Sequence, residues 1–188
     1  MTGDWQLVRR VGEVELYRRS VKDSEFPALR GHARFAAPID AVFRVVSDYD
    51  HFAGFIPLVS ESRVVRRNGR VTWVYQRLAL PLWFADRHYV IRVVDDLHAP
   101  ATGVIDIDWQ LDEKRSLSLP DNDALLPEAF SGSWHLETTA GQAGCDAVYT
   151  LHVDPGGTVP AWLFVHLTGN YVIQVMNAVR NRIALDSR

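Results

Sequence analysis

Cysteine is all but missing from this chain. A single residue, Cys145, in 188 excludes both a disulfide framework and a cysteine-rich zinc site. A basic surplus is missing too. The formal net charge is −3 and the sequence pI is near 6.1, which excludes nucleic acid as a main partner, because phosphate neutralisation needs excess Lys and Arg. No GxGxxG, phosphate-loop or GxSxG motif occurs, so dinucleotide, nucleotide and serine-hydrolase chemistry lack their usual handles. HExxH is absent as well. The histidines (His32, His51, His88, His98, His135, His152 and His166) are scattered, no two at ligand spacing on one element, so neither metal nor cofactor is expected. Met1-Thr2-Gly3-Asp4-Trp5 shows no basic stretch running into an apolar one, which makes the cytoplasm the expected location. No repeat, low-complexity tract or Pro/Gly/Ser linker interrupts the sequence. Residues 1–188 are read as one domain.

What the chain does hold is apolar and aromatic. It is 47% hydrophobic, with six Trp, six Tyr and eight Phe, which excludes disorder. A chain of this size buries roughly 70% of its unfolded surface, enough for a core and a cavity. Residues 155–179 contain no Asp, Glu, Lys or Arg, a run long enough to suggest a membrane span. Its interior argues otherwise. His166, Asn170, Gln174, Asn177 and Asn181 recur every three or four residues as one polar stripe. Phe164, Val165, Val172, Val175, Met176, Val179 and Ile183 occupy the opposite face. That pattern predicts an amphipathic helix covering something apolar, with Pro160 in its first turn.

Upstream the period is two. Leu29, Gly31, Ala33 and Phe35 alternate with Arg30, His32 and Arg34; Ile105, Ile107, Trp109 and Leu111 alternate with Asp106, Asp108 and Gln110. Residues 147–153 behave likewise, and further strands fit 13–19, 60–67, 71–80, 87–95 and 131–138. Asn68-Gly69 marks a hairpin between two of them. Pro38-Ile39-Asp40 opens a short helix, a second helical turn spans 50–55, and 116–127 reads as the longest loop. The fold class is therefore α+β: one curved antiparallel sheet with one long C-terminal helix, and a pocket between them if the sheet wraps that helix. Strand parity points Val74, Gln76 and Leu78 inward, opposite Trp73, Tyr75 and Arg77. It likewise points Tyr89, Ile91 and Val93 inward, opposite His88, Val90 and Arg92. Asp106 and Asp108 read as a solvated outer face. Arg63, Arg66, Arg67 and Arg70 read as a charged hairpin tip, and Cys145, beside Asp146, as an unreactive bystander.

Four stretches together resemble the START family, the steroidogenic-acute-regulatory-related lipid transfer domains, in their phosphatidylcholine-transfer branch. They are Asp4-Trp5-Gln6-Leu7 with Val14-Glu15-Leu16-Tyr17; Asp86-Arg87-His88-Tyr89-Val90; Ser131-Gly132-Ser133-Trp134; and Asp154-Pro155-Gly156-Gly157-Thr158-Val159-Pro160-Ala161-Trp162-Leu163. Asp48-Tyr49-Asp50-His51-Phe52-Ala53-Gly54-Phe55-Ile56-Pro57 looks like the matching segment of coenzyme-Q-binding and polyketide-cyclase-like proteins, which share the wider helix-grip fold. The resemblance implies a sheet gripping the C-terminal helix around a hydrophobic tunnel. It also implies a gate at the 81–85 loop, with Leu82, Trp83 and Phe84 packed on the helix or dipped into a membrane surface.

Expected ligand contacts are Val74, Gln76, Leu78, Tyr89, Ile91 and Val93; Ile105, Ile107, Trp109 and His135; and Val165, Val172, Val175, Met176 and Val179. Parity and resemblance disagree over 131–138. Parity buries Trp134 and Leu136, whereas the resemblance places Ser133, His135 and Glu137 on the cavity side and is followed here, because a head group needs a polar handle. Arg87 is expected in a structural ion pair with a carboxylate such as Asp86. Where phosphatidylcholine carriers hold an Arg for the lipid phosphate, this chain has Asp50; Gln76 and Thr139 replace aromatics of the choline cage, so a phosphocholine head group is not expected. The leading functional reading is a non-catalytic carrier of one hydrophobic molecule (a lipid, sterol-like compound or quinone) that meets a membrane transiently. The alternatives are an aromatase/cyclase-like enzyme using Gln76, Tyr89, His135 and Glu137, and a quinone-chaperone or protein-interaction module with a filled pocket.

Overall fold

Alternation of period two resolves into nine strands of a single antiparallel sheet. The computed structural model describes residues 4–80, 84–97, 103–120, 123–139, 144–157 and 160–186. Leu82 and Trp83 of the expected gate, and Thr158 and Val159 of the family-like stretch, lie outside the described residues. The strands are β1 (Gln6–Val11), β2 (Val14–Arg19), β3 (Ala28–Phe35), β4 (Val59–Asn68), β5 (Val71–Leu78), β6 (Arg87–Leu97), β7 (Val104–Leu111), β8 (Ala129–Thr138) and β9 (Cys145–Asp154). Helix α1 (Ile39–Val46) and a 3-10 helix (Tyr49–Gly54) follow β3, α2 (Glu113–Ser116) follows β7, and α3 (Ala161–Asp186) ends the chain. The spatial order is β1-β2-β3-β9-β8-β7-β6-β5-β4, so the pairing of β3 with β9 joins the first meander to the second. Gly12 and Gly69 both open two-residue hairpin turns at φ +58°, where the backbone needs the left-handed region that glycine tolerates.

β1 was not expected, and its physical reason is plain. Leu7 and Val8 are 50% and 47% exposed, so this edge strand buries neither face and carries no alternating signal. The expected 116–127 loop is partly structured. α2 and the residues after it cover the outer face of β5 and β6. Ser116 Oγ accepts from Val90 N at 2.9 Å, and His88 N donates to Leu125 O at 3.1 Å. Tyr75, His88 and Val90 are buried there although parity points them outward.

Helix α3 docks on one flank of the sheet. Gly31 of β3 stands under it: a Cβ built there would lie 2.9 Å from Val172 Cγ1 and 3.1 Å from Met176 Cγ. A Cβ on helical Gly169 would lie 3.3 Å from Leu16 Cδ2 of β2. Small residues at these two positions let helix and sheet approach closely. α3 packs also on β9 and on α1, whose Ile39, Val42, Val45 and Val46 are buried. Asp40 in the first turn of α1 and Arg44 in its last turn match the helix dipole. Among the described residues no helix is long and apolar enough to cross a membrane.

Gly31→Ala forces Val172 or Met176 to move within a filled contact. Its urea unfolding midpoint is expected to fall by the equivalent of about 1–3 kcal/mol. An unchanged midpoint would show that the helix does not rest on β3 as described.

Candidate functional site

Because α3 rests on β2, β3 and β9, its other apolar arc faces β5 to β8 across an open interior. Two chambers occupy it. The deep chamber, about 50 Å³, is lined from α1 and the 3-10 helix by Val46, Tyr49 and Phe52, from the sheet by Gln76, Ile91, Val93, Ile107, Trp109, Phe130, Trp134 and Tyr149, and from α3 by Tyr171, Val175 and Val179. The outer cleft, about 290 Å³, is lined by Leu58, Leu78, Leu80, Phe84, Phe130, Leu151, Val153 and the α3 residues Phe164, Leu167, Thr168, Asn170, Tyr171 and Gln174. Phe130 and Tyr171 belong to both and form the partition between them. A few water-sized positions fit the deep chamber; the outer one approaches the lower end of the roughly 300–1,000 Å³ usual for ligand sites.

Aromatic stacking builds the walls. Trp109 and Tyr149 stack at 5.7 Å, Trp134 and Tyr149 lie 4.7 Å apart, and Tyr89 stacks on Phe130 at 4.4 Å. Trp109 faces Gly132 across the β7–β8 ladder, and a Cβ on residue 132 would stand 2.4 Å from its ring. The glycine therefore makes room for the indole to lie across β8. Tyr89 Oη donates to Gln76 Oε1 at 3.2 Å, and Gln76 Nε2 donates to Ser62 Oγ at 3.4 Å. Burial pushes the Tyr89 and Tyr149 hydroxyls well above the usual phenol range, so both stay neutral.

The expected contacts divide. Gln76, Ile91, Val93, Ile107, Trp109, Val175 and Val179 line the deep chamber, and Leu78 and Phe84 the outer one. Val74, Tyr89 and Ile105 point inward but pack behind the lining as buried core. Val172 and Met176 are corrected: both are fully buried against β3, because the apolar arc of α3 is wide enough to serve two surfaces. Val165 is half-buried and lines neither chamber. His135 is corrected as well. It sits on the outer face, where its Nδ1 lies 2.6 Å from Asp106 Oδ1 and its side chain is 45% exposed. Trp134 and Leu136 turn inward in its place, since two adjacent strand residues cannot share a face. Tyr171, Tyr149, Trp134, Phe130, Tyr49 and Phe52 were missed. Parity had turned Trp134 inward before the resemblance overrode it, and could have found Phe130 and Tyr149.

Two further residues carry different roles from those expected. Arg87, 4% exposed, is held by carbonyls rather than by a carboxylate. It donates to Pro155 O at 2.7 Å, Ala85 O at 2.5 Å and Gly156 O at 3.2 Å, while Asp86 pairs with Arg77 at 2.8 Å. Arg87 thus ties the segment entering β6 to the turn entering α3. Asp50, where phosphatidylcholine carriers have an Arg, accepts from Val64 N at 2.7 Å beside the bulge of β4. It is occupied as a backbone partner.

A curved antiparallel sheet holding a long helix over an apolar, aromatic interior defines a fold of the helix-grip class. A family model described as polyketide cyclase / dehydrase and lipid transport matches residues 35–180, and the chain belongs to that family. An uncharacterized protein of Pseudomonas aeruginosa is 25% identical over 164 residues, covering 85% of this chain and 77% of its own. Among solved structures, a STAR-related lipid transfer protein from Xanthomonas axonopodis superposes with a TM-score of 0.84 at 23% identity, covering 96% of this chain and 98% of that one. Human StAR-related lipid transfer protein 5 gives 0.88 at 13% identity, covering 100% and 90%. At these identities the likeness shows the fold.

Beside Tyr49, one of the residues that line the deep chamber, stands Asp95. Burial raises its pKa against the opposing pull of Arg67, of the Tyr49 hydroxyl that hydrogen-bonds it, and of Arg70. The folded chain therefore holds this proton to a higher pH than the unfolded chain does, and stability falls as pH rises from the ordinary aspartate value through the folded one. Asp95→Asn removes that loss. Its urea midpoint is expected to exceed the parent's at pH 7 and to match it at pH 3; an equal gain at both would contradict the burial of this carboxyl.

Proposed function

We propose that this chain is a non-catalytic carrier that holds one hydrophobic molecule between sheet and helix and exchanges it at a membrane surface. The observation that carries this reading is the continuity of the lining. Apolar and aromatic side chains run from Val93 and Ile107 at the bottom, past Phe130 and Tyr171, to Leu58, Phe84 and Phe164 at the mouth. Such a path suits a ligand that enters from an apolar medium. Trp162, in the first turn of α3 two residues before cleft-lining Phe164, is 75% exposed. An exposed indole in the first turn of this helix suits the interface of a bilayer.

An enzyme reading draws less support. Of the four groups available for proton transfer, Gln76 and Tyr89 lie inside and hydrogen-bond each other. His135 and Glu137 share the outer face of β8. A filled interior, as an interaction module would have, fits poorly with an outer cleft of about 290 Å³.

Native mass spectrometry of the gently purified full chain, followed by organic extraction, tests the carrier reading. The expected result is one adduct per chain belonging to a single lipid class. A clean unliganded mass, with no uptake from mixed phosphatidylcholine and neutral-lipid vesicles, would overturn it.

A further inference from the structure

Among the described residues, only Phe130 and Tyr171 line both chambers. The space beside α3 therefore narrows between one ring carried by the sheet and one carried by the helix. On the sheet side the ring is fixed. Strand parity puts Phe130 on the inner face of β8 with buried Trp134, and its ring stacks on Tyr89 of β6 at 4.4 Å and 30°. Tyr89 is fully buried, and its hydroxyl donates to Gln76, whose amide donates to Ser62. The last pairs of β7 are Leu111 with Ile91 and Gln110 with Ser131. The stack thus joins β8 to β6 just past the end of the strand between them, and a ring clamped there resists turning aside.

The helix supplies the other ring. Along α3, Tyr171 follows Leu167 and Thr168 of the outer cleft and precedes Val175 of the deep chamber. Burial holds its hydroxyl well above the usual phenol range, so the constriction is neutral on both sides. The chambers it divides are unequal, about 290 Å³ outside and about 50 Å³ inside. A molecule that fills both is wide at its mouth end and slender where it passes the rings.

We infer that Phe130 and Tyr171 form a waist that selects the ligand by shape: an unbranched end passes into the deep chamber, and a branched end stops in the outer cleft. This rests on the carrier reading and adds to it the shape of the ligand and the two residues that choose it.

The test uses two isomers of one formula and nearly one apolar area, n-butylbenzene and tert-butylbenzene, titrated into the ¹³C-methyl-labelled full chain. Methyl resonances of Ile91 and Ile107 report on the deep chamber, and those of Leu78 and Leu151 on the outer cleft, each assigned through a conservative substitution. The linear isomer is expected to bind about tenfold tighter, the worth of burying roughly two further methylenes, and to move both sets of methyls. The branched isomer should move the outer set alone. Phe130→Leu should cut the preference severalfold, mainly by tightening the branched isomer, and Tyr171→Leu tests the same waist from the helix if the first variant does not fold. Phe164→Leu, which alters the outer cleft only, should weaken both isomers alike. Equal affinities in the parent, deep methyls moved by the branched isomer, or a preference that survives in the folded waist variants would each overturn the waist and leave the carrier reading standing. If neither isomer at saturation moves a methyl of either chamber, the carrier reading falls with it.

Discussion

The rest of the structure depends on where α3 touches the sheet. Gly31 lets Val172 and Met176 settle onto β3, and Gly169 seats the helix against Leu16 of β2. The contact lies on one flank of the sheet. Helix and sheet close there as a packed core, and on the other flank the same helix stands off from β5 to β8. A long apolar arc on α3 is needed for this arrangement. Part of it is consumed by docking, and the remainder, Phe164, Leu167, Tyr171, Val175 and Val179, becomes a cavity wall. A symmetric seat would have buried both arcs and left no interior.

Aromatic side chains then decide how the remaining space is shaped. Trp109 can lie across β8 because Gly132 has no side chain, and Tyr149 stacks between Trp109 and Trp134. Such stacks resist collapse better than flexible aliphatic side chains, whose rotamers can fold into a void. The lining is uncharged in both chambers among the described residues, and the buried tyrosines are held neutral by burial itself. Charge is kept outside. Asp106 meets His135 on the outer face, Arg34 meets Asp146 there, and Arg87 spends its guanidinium on the carbonyls at the mouth. The guanidinium joins two chain segments that border the outer cleft, the approach to β6 and the approach to α3.

Much of this was legible in the sequence, and the reasons differ by element. Seven of the eight expected strands bury one face; β4, the far edge strand with only Val59 buried, was marked by the Asn68-Gly69 turn, and parity alone turned Gln76, Ile91, Val93 and Ile107 toward the interior, where they line the deep chamber. β1 stayed silent because an exposed edge strand has no face to hide. His135 shows the limit of family resemblance. The wish for a polar handle overrode parity, and the backbone geometry of β8 prevailed, with Trp134 inward and His135 paired to Asp106. On α3 the helical period revealed the apolar arc but not that two surfaces share it, so Val172 and Met176 were assigned to the cavity and Tyr171 was overlooked. Tyr49 and Phe52 come from a 3-10 helix, too short to carry a period.

The central claim is that the space beside α3 is where a ligand resides. Val175 faces the deep chamber from the helix and is buried. Val175→Phe would put an aromatic ring into that space while leaving the Gly31 contact untouched. Binding of the neutral dye Nile red, followed with the urea unfolding midpoint of the same variant, tests the claim most directly. The account predicts a folded chain, its stability within about 1–3 kcal/mol of the parent, that no longer takes up the dye. Parent-level uptake by an equally folded variant would contradict it and place the ligand elsewhere on the protein.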